Sequence, residues 1–231
     1  MTGTFAELGL ALAAFFATHS LPSLRSVRAR LVALAGERAY IAVYSCFSIG
    51  TTAWMITAAV RAPALELWPM TAAGMWVTAV AMAASGVLLV LGVTTPNVLS
   101  IRVRPAAVDP ARPGGLAVTR HPIPWALALW AFGHLAANGD AGTAILFALA
   151  GGFSLLGCLI LDVRRRREFG ADDWARRSAG TSVVPFAAIL AGRAAMPWRA
   201  LAVSAAAATA LYAALLALHL PMIGVAPLPP L

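Results

Sequence analysis

The chain has 231 residues, of which 61% are hydrophobic and 11% are charged, and its formal net charge is +8. A soluble domain carries roughly 25% charged residues, so this chain has too little polar surface to cover a water-soluble globule, and lipid must cover the rest. The positive charge does not predict nucleic-acid binding, because the basic residues lie in loops between apolar segments, where they meet anionic lipid.

Long apolar runs with few or no charges mark the segments that cross a bilayer. These runs predict membrane spans at residues 4–20, 39–60, 72–93, 122–137, 141–161 and 200–220. The first and fourth runs are short for a full crossing. The sequence therefore predicts an all-α fold, a polytopic transmembrane bundle of about six helices in a single membrane domain, residues 1–231.

The arginines predict the orientation of these spans. All 17 basic residues are Arg, and all but Arg61 lie in the loops after spans one, three and five. Cytoplasmic loops carry an excess of basic residues, so we expect both chain ends to be periplasmic. Heavy Ala and Arg usage is typical of GC-rich bacterial coding, and we expect a multi-pass protein of the bacterial cytoplasmic (inner) membrane whose surroundings are the lipid bilayer.

The connections between the spans have different characters. Residues 137–140, Ala-Asn-Gly-Asp, predict a tight turn, whereas the Pro- and Gly-rich residues 96–122 predict an ordered cytoplasmic loop. Residues 164–185 form the most polar stretch and predict a short amphipathic surface helix. Residues 221–231 contain four prolines and predict an extended tail.

The four histidines are the leading functional candidates, because ionisable side chains at membrane depth are costly. His19 ends span one, His121 opens span four, and His219 ends span six, so each is also explained as a helix-end residue at the interface. His134 lies within span four and needs a hydrogen-bond partner or a metal.

The surroundings of His134 are compatible with haem ligation. A neutral imidazole is a common axial ligand, and Gly133 beside it is expected to leave room for a macrocycle edge. Hydrogen bonding between helices is the alternative explanation for a buried histidine. The sequence contains no zinc-ligand spacing, nucleophile elbow, phosphate loop or paired-carboxylate site.

Three stretches carry a resemblance to a known family: residues 18–20 (Thr-His-Ser), 36–40 (Gly-Glu-Arg-Ala-Tyr) and 119–140, which opens Thr-Arg-His-Pro-Ile-Pro-Trp and ends Asn-Gly-Asp. They resemble the NnrU family over nearly the whole chain. The resemblance implies an integral membrane protein that supports denitrification, with the nitrite and nitric oxide reductase machinery as a partner.

The same stretches are similar to plant 15-cis-ζ-carotene isomerase, a membrane enzyme that uses haem b with histidine axial ligands. That resemblance implies haem b as a cofactor, with His19 and His134 as the iron ligands and His121 as a third matching histidine. It also implies a haem-dependent isomerase of a carotenoid or another polyene as an alternative function.

The predicted topology makes His121 a rival to His134. His19 and His121 share the cytoplasmic end of the bundle, whereas His134 lies 13 residues further along its span, a rise of roughly 20 Å. Two axial ligands of one iron lie roughly 4 Å apart, since metal–nitrogen bonds are near 2 Å. The ligand pair is therefore either His19 with His134 or His19 with His121.

A second resemblance involves Arg120-His121-Pro122 and residues 167–174. These are similar to the isoprenylcysteine and phospholipid methyltransferase superfamily, whose members bind S-adenosylmethionine on the cytoplasmic side. Here Trp125 stands in place of a tyrosine and Leu161-Asp162 in place of a Glu-Glu pair, which weakens the cofactor site. Three hypotheses follow: a haem b protein, a methyltransferase-like enzyme, and a non-enzymatic partner of the reductases.

Overall fold

A computed structural model describes residues 3–22, 24–107 and 109–230. Across these residues the chain forms helices and loops, with no named strand. The helices are α1 (Phe5–Ser20), α2 (Arg25–Ala35), α3 (Glu37–Arg61), α4 (Ala72–Thr94), α5 (Pro122–Ala137), α6 (Ala141–Phe169), α7 (Ala171–Ser178), α8 (Ala187–Leu190) and α9 (Trp198–Ile223), with a 3₁₀ turn at Gly114–Ala117.

The helices confirm the predicted fold class. Four of them, α3, α4, α6 and α9, are long and apolar enough to cross a membrane, and they match the second, third, fifth and sixth predicted spans. The first and fourth predicted spans are the 16-residue helices α1 and α5. The protein is therefore a helical, multi-pass membrane protein.

The loops contain more helix than the sequence analysis predicted. The arginine-bearing segment after span one contains α2, and α6 continues past the predicted end of span five to Phe169. Arginine favours helix, and an ion pair between Arg165 and Glu168, at 2.7 Å, links successive turns of this extension. The predicted surface helix is confirmed as α7.

The extended tail was predicted to begin at residue 221, but in the structure the chain is still helical there. Helix α9 includes Pro221 and ends at Ile223, where Gly224 adopts a left-handed conformation. The residues from Gly224 to Pro230 are non-helical, and Leu231 lies outside the described residues. Pro221 has no backbone N–H and therefore forgoes its own helical hydrogen bond, and the helix ends within the same turn, at Ile223.

The chain divides into two compact units, and the first comprises Met1–Pro69 and Asn138–Leu146. Helices α1 and α3 are antiparallel there, with a core formed by Leu8, Ala11, Met55, Ala58, Ala59, Ala62 and Leu146. The turn before α6 pairs with the end of the α3–α4 loop, since Leu67 donates its backbone N–H to the carbonyl of Gly139 at 2.7 Å. The prediction of a tight turn at residues 137–140 agrees with this arrangement.

The second unit comprises Met70–Ala137 and Phe147–Leu231. Helices α4 and α5 are antiparallel. They pack closely because small residues line their interface. A Cβ on Gly74 would lie 2.6 Å from the carbonyl oxygen of Ala136, and the Ser85 hydroxyl donates to the carbonyl of Ala126 at 2.7 Å. Tyr212 of α9 donates to the carbonyl of Ala79 at 3.0 Å, which joins a third helix to this pair. The single-domain organisation stays a prediction.

Candidate functional site

The second unit contains a buried polar network centred on His121. This residue precedes the first turn of α5, and its side chain is fully buried. Its Nδ1 lies 2.8 Å from the Ser100 hydroxyl, and its Nε2 lies 2.8 Å from a carboxylate oxygen of Asp162. Because a carboxylate only accepts, Nε2–H donates to Asp162, and in the neutral ring Nδ1 accepts from Ser100.

Asp162 also binds Arg120. The Nε of Arg120 lies 2.9 and 3.1 Å from the two carboxylate oxygens, and Nη2 also donates to one of them. The Trp174 ring lies over the guanidinium, with its centroid 5.5 Å from the central carbon. The side chains of Arg120 and Asp162 are 14% and 18% exposed. The carboxylate therefore has a charged partner and a histidine donor in a largely dry setting.

The network continues into the loop between α4 and α5. The carbonyl of Ser100 accepts from Nη2 of Arg165 at 2.9 Å, and Glu168 forms ion pairs of 2.7 Å with both Arg165 and Arg102. The amide oxygen of Asn97 accepts from the backbone N–H groups of residues 99 and 100. These contacts hold the loop against the polar end of α6.

Burial limits the chemistry of this network, because a substrate has little access to its side chains. Ser100, His121 and Asp162 form the hydrogen-bond order of a serine nucleophile, but Ser100 is only 1% exposed. Arg120, which would help to hold the cofactor in the methyltransferase-like hypothesis, directs its Nε and Nη2 hydrogen bonds to Asp162. The geometry is that of a cluster that orders the loop.

His19 lies in the first unit, at the end of α1. Its Nδ1 is 2.8 Å from the carbonyl oxygen of Phe15, and its Nε2 is 2.6 Å from the hydroxyl of Ser48 on α3. A backbone carbonyl only accepts, so the proton of the neutral ring is on Nδ1. Its Nε2 is then the basic nitrogen, which accepts a hydrogen bond from Ser48.

His134 lies in the second unit and has the same local geometry. Its Nδ1 is 2.8 Å from the carbonyl oxygen of Trp130, four residues earlier on α5. The rings of Trp130 and Phe147 lie on it, with centroid distances of 5.5 and 5.2 Å. The carbonyl again places the proton on Nδ1 and makes Nε2 the basic nitrogen.

The space beside Gly133 is filled by helix α4, contrary to the expectation that it accommodates a macrocycle edge. A Cβ on Gly133 would lie 2.8 Å from the Cβ of Ala81, and the Thr78 hydroxyl donates to the Gly133 carbonyl at 2.8 Å. The missing side chain at this position therefore permits close helix packing.

Arg120, His121 and Asp162 were identified from the sequence, and the structure brings these three residues together. Three other residues of the candidate sites were not identified from the sequence: Ser48, Asn97 and Ser100, which lack a motif of their own. Only Pro96-Asn97 gives a local signal, since asparagine after proline is typical of a turn. Within the described residues, no group of three or more His, Cys, Asp or Glu side chains could hold a metal ion.

Comparison with known proteins gives a family but no individual relative. No curated protein and no solved structure matches the chain significantly. The sequence model of a family described as NnrU protein matches residues 7–227, a range that includes His19, His121 and His134.

Proposed function

Since the chain belongs to the NnrU family, we propose that it is a haem-b-binding membrane protein that supports nitrite and nitric oxide reduction, with His19 and His134 as iron ligands. The observation that carries this proposal is the hydrogen bond that each of these histidines makes from Nδ1 to the carbonyl four residues earlier.

This hydrogen bond suits an axial ligand. Histidines that bind metals usually donate their other ring N–H to a carbonyl or carboxylate, which fixes the tautomer and the ring orientation and raises the basicity of the ligating nitrogen. In His19 and His134 the nitrogen prepared in this way is Nε2. The Ser48 hydroxyl at Nε2 of His19 would give way to iron at that nitrogen.

His121 does not make the hydrogen bond from Nδ1 to a backbone carbonyl that His19 and His134 share. Its two ring nitrogens are engaged by Ser100 and Asp162, and the side chain is fully buried. An iron at either nitrogen would break the network that orders the loop between α4 and α5. His121 directly precedes α5 and lies 13 residues, roughly 20 Å, from His134, so these two histidines do not bind the same iron. The engaged network argues for His134 over His121 as the ligand, whereas the predicted topology, which gives His19 and His121 the same depth, argues for His121. The haem content of the His121 and His134 variants decides between them.

Haem b supplies one-electron redox chemistry and, where a coordination position opens, a site for a small molecule such as nitric oxide. The protein's own residues would hold the iron and would set the basicity of the ligating nitrogens. Trp130 and Phe147 restrict the orientation of the His134 ring through their ring contacts. A haem held in this way would suit a redox factor or a factor that responds to nitric oxide.

Haem content of purified variants tests the ligand assignment. The full chain is expressed with haem precursor, purified in detergent and assayed for haem per polypeptide. His19→Ala and His134→Ala are expected to lose most of the haem. His121→Asn is the matched control, because it removes an imidazole and should retain haem in the folded fraction. Full haem content in both His19→Ala and His134→Ala would refute the proposal.

We also propose an orientation of the protein in the membrane. The arginine distribution supports a bacterial inner-membrane protein with periplasmic chain ends, because the arginines of α2, of the α4–α5 loop and of α7 would then lie in the cytoplasm. Reporter fusions after residues 70 and 180 test it. Alkaline phosphatase activity is expected after residue 70 and none after residue 180, and the reverse pattern would contradict the orientation. Co-purification of nitrite or nitric oxide reductase subunits would identify the expected partners.

A further inference from the structure

A cleft of about 570 Å³ opens in the second unit, away from the histidines. It is formed by the end of α4, the turn after Pro113 and the start of α9. Its lining includes Thr94, Gly114, Met196, Trp198, Arg199 and Val203. The lining is mainly apolar, and its one charged side chain is Arg199.

Arg199 is an exposed cation. Across residues 3–22, 24–107 and 109–230, no hydrogen bond or ion pair engages its side chain. A second cation lies at the rim, because Arg104 donates to the carbonyl of Thr94 at 2.9 Å. The rim of the cleft is therefore positively charged, and its interior is apolar.

The apolar side of the cleft is exposed on the outer surface of this unit. Trp198 is 72% exposed and Val203 is 60% exposed, although both belong to a helix long enough to cross the membrane. Tryptophan is enriched at the boundary between lipid chains and headgroups. The cleft thus combines an interfacial aromatic ring, an apolar wall and two guanidinium groups at the end of the bundle where the arginines concentrate.

We propose that this cleft binds one anionic phospholipid of the surrounding leaflet, with the phosphate at Arg199 and an acyl chain along Trp198 and Val203. Charge complementarity selects an anionic headgroup, since the two cations face no acidic residue in the cleft. The apolar lining selects a lipid over a free anion, because a soluble phosphate would leave that wall uncovered. The site is independent of the haem proposal.

Native mass spectrometry of the delipidated full chain in detergent tests the site. Phosphatidylglycerol and phosphatidylcholine with identical acyl chains are titrated separately. The first phosphatidylglycerol is expected to bind about fivefold more tightly than phosphatidylcholine, the effect of roughly one basic side chain at an anionic surface. Arg199→Gln is expected to abolish this preference.

Arg167→Gln is the matched control, because Arg167 is exposed, has no hydrogen-bond or ion-pair partner among the described residues and carries the same charge. It should keep the preference for phosphatidylglycerol. Val203→Trp fills the cleft without changing charge and should weaken binding of both lipids. Equal binding of the two lipids by the unmodified chain, an unchanged preference in Arg199→Gln, unchanged lipid binding in Val203→Trp, or displacement by millimolar inorganic phosphate would each overturn the proposal.

Discussion

Replacing Asp162 with asparagine tests the role of the buried polar network. Asn is nearly isosteric, but it removes the charge that binds Arg120, and it keeps only one oxygen acceptor for donors from Arg120 and His121. Hydrogen bonds to charged groups contribute about 1.5–3 kcal/mol each, and breaking a buried ion pair costs about 3–5 kcal/mol. Because the pair is 14% and 18% exposed, we expect a loss near the lower limit, about 3 kcal/mol.

The free energy of unfolding is measured by titrating the detergent-solubilised protein with sodium dodecyl sulfate. Glu168→Gln is the matched control, because it removes a carboxylate from the same helix, and its ion pairs with Arg102 and Arg165 involve a side chain that is 37% exposed. Exposed pairs contribute at most about 1 kcal/mol each. Equal losses in the two variants, or a loss below about 0.5 kcal/mol in Asp162→Asn, would refute the reasoning.

Two further predictions concern local packing and charge. A Cβ on Gly139 would lie 1.8 Å from the carbonyl oxygen of Trp68, whereas a Cβ on Gly152 would meet nothing within 4 Å. Gly139→Ala should therefore lower the free energy of unfolding by about 3 kcal/mol, and Gly152→Ala should not lower it. Equal effects of the two substitutions would contradict the close contact at Gly139. The hydrogen bond from Arg177 holds the pKa of Asp173 below its ordinary value. The stabilisation of α7 is then present above about pH 4 and is lost as the pH falls through the lowered pKa. The protection factors of the α7 amides, from which the intrinsic pH dependence of exchange is divided out, should therefore fall on acidification, and Asp173→Asn should remove that fall.

The spans were predictable because their signal is local. An apolar run long enough to cross lipid must satisfy its backbone groups internally, so it forms a helix whatever its neighbours are. The amphipathic α7 was predictable for a similar reason, since its charge pattern lies within a few residues. Helix α2 was not, because its first residue follows Leu24, whose side chain makes no cap hydrogen bond.

The site was only partly predictable, because its contacts are distant in sequence. Arg120 and His121 were found from a motif, but the hydrogen bond from Ser100 to His121 joins residues 21 apart, and that from Arg165 to the Ser100 carbonyl joins residues 65 apart. Serines carry no signal of such a role in a single sequence. The prediction for Gly133 was wrong because sequence alone does not show that α4 packs against it.

The proposed binding of haem b is tested by an absorption spectrum of the detergent-purified full chain. The protein is expressed with haem precursor, and its spectrum is recorded oxidised and then dithionite-reduced. We expect a stoichiometric Soret band with sharp α and β bands on reduction, all greatly diminished in His134→Ala. A featureless spectrum from folded, unmodified protein would contradict the claim.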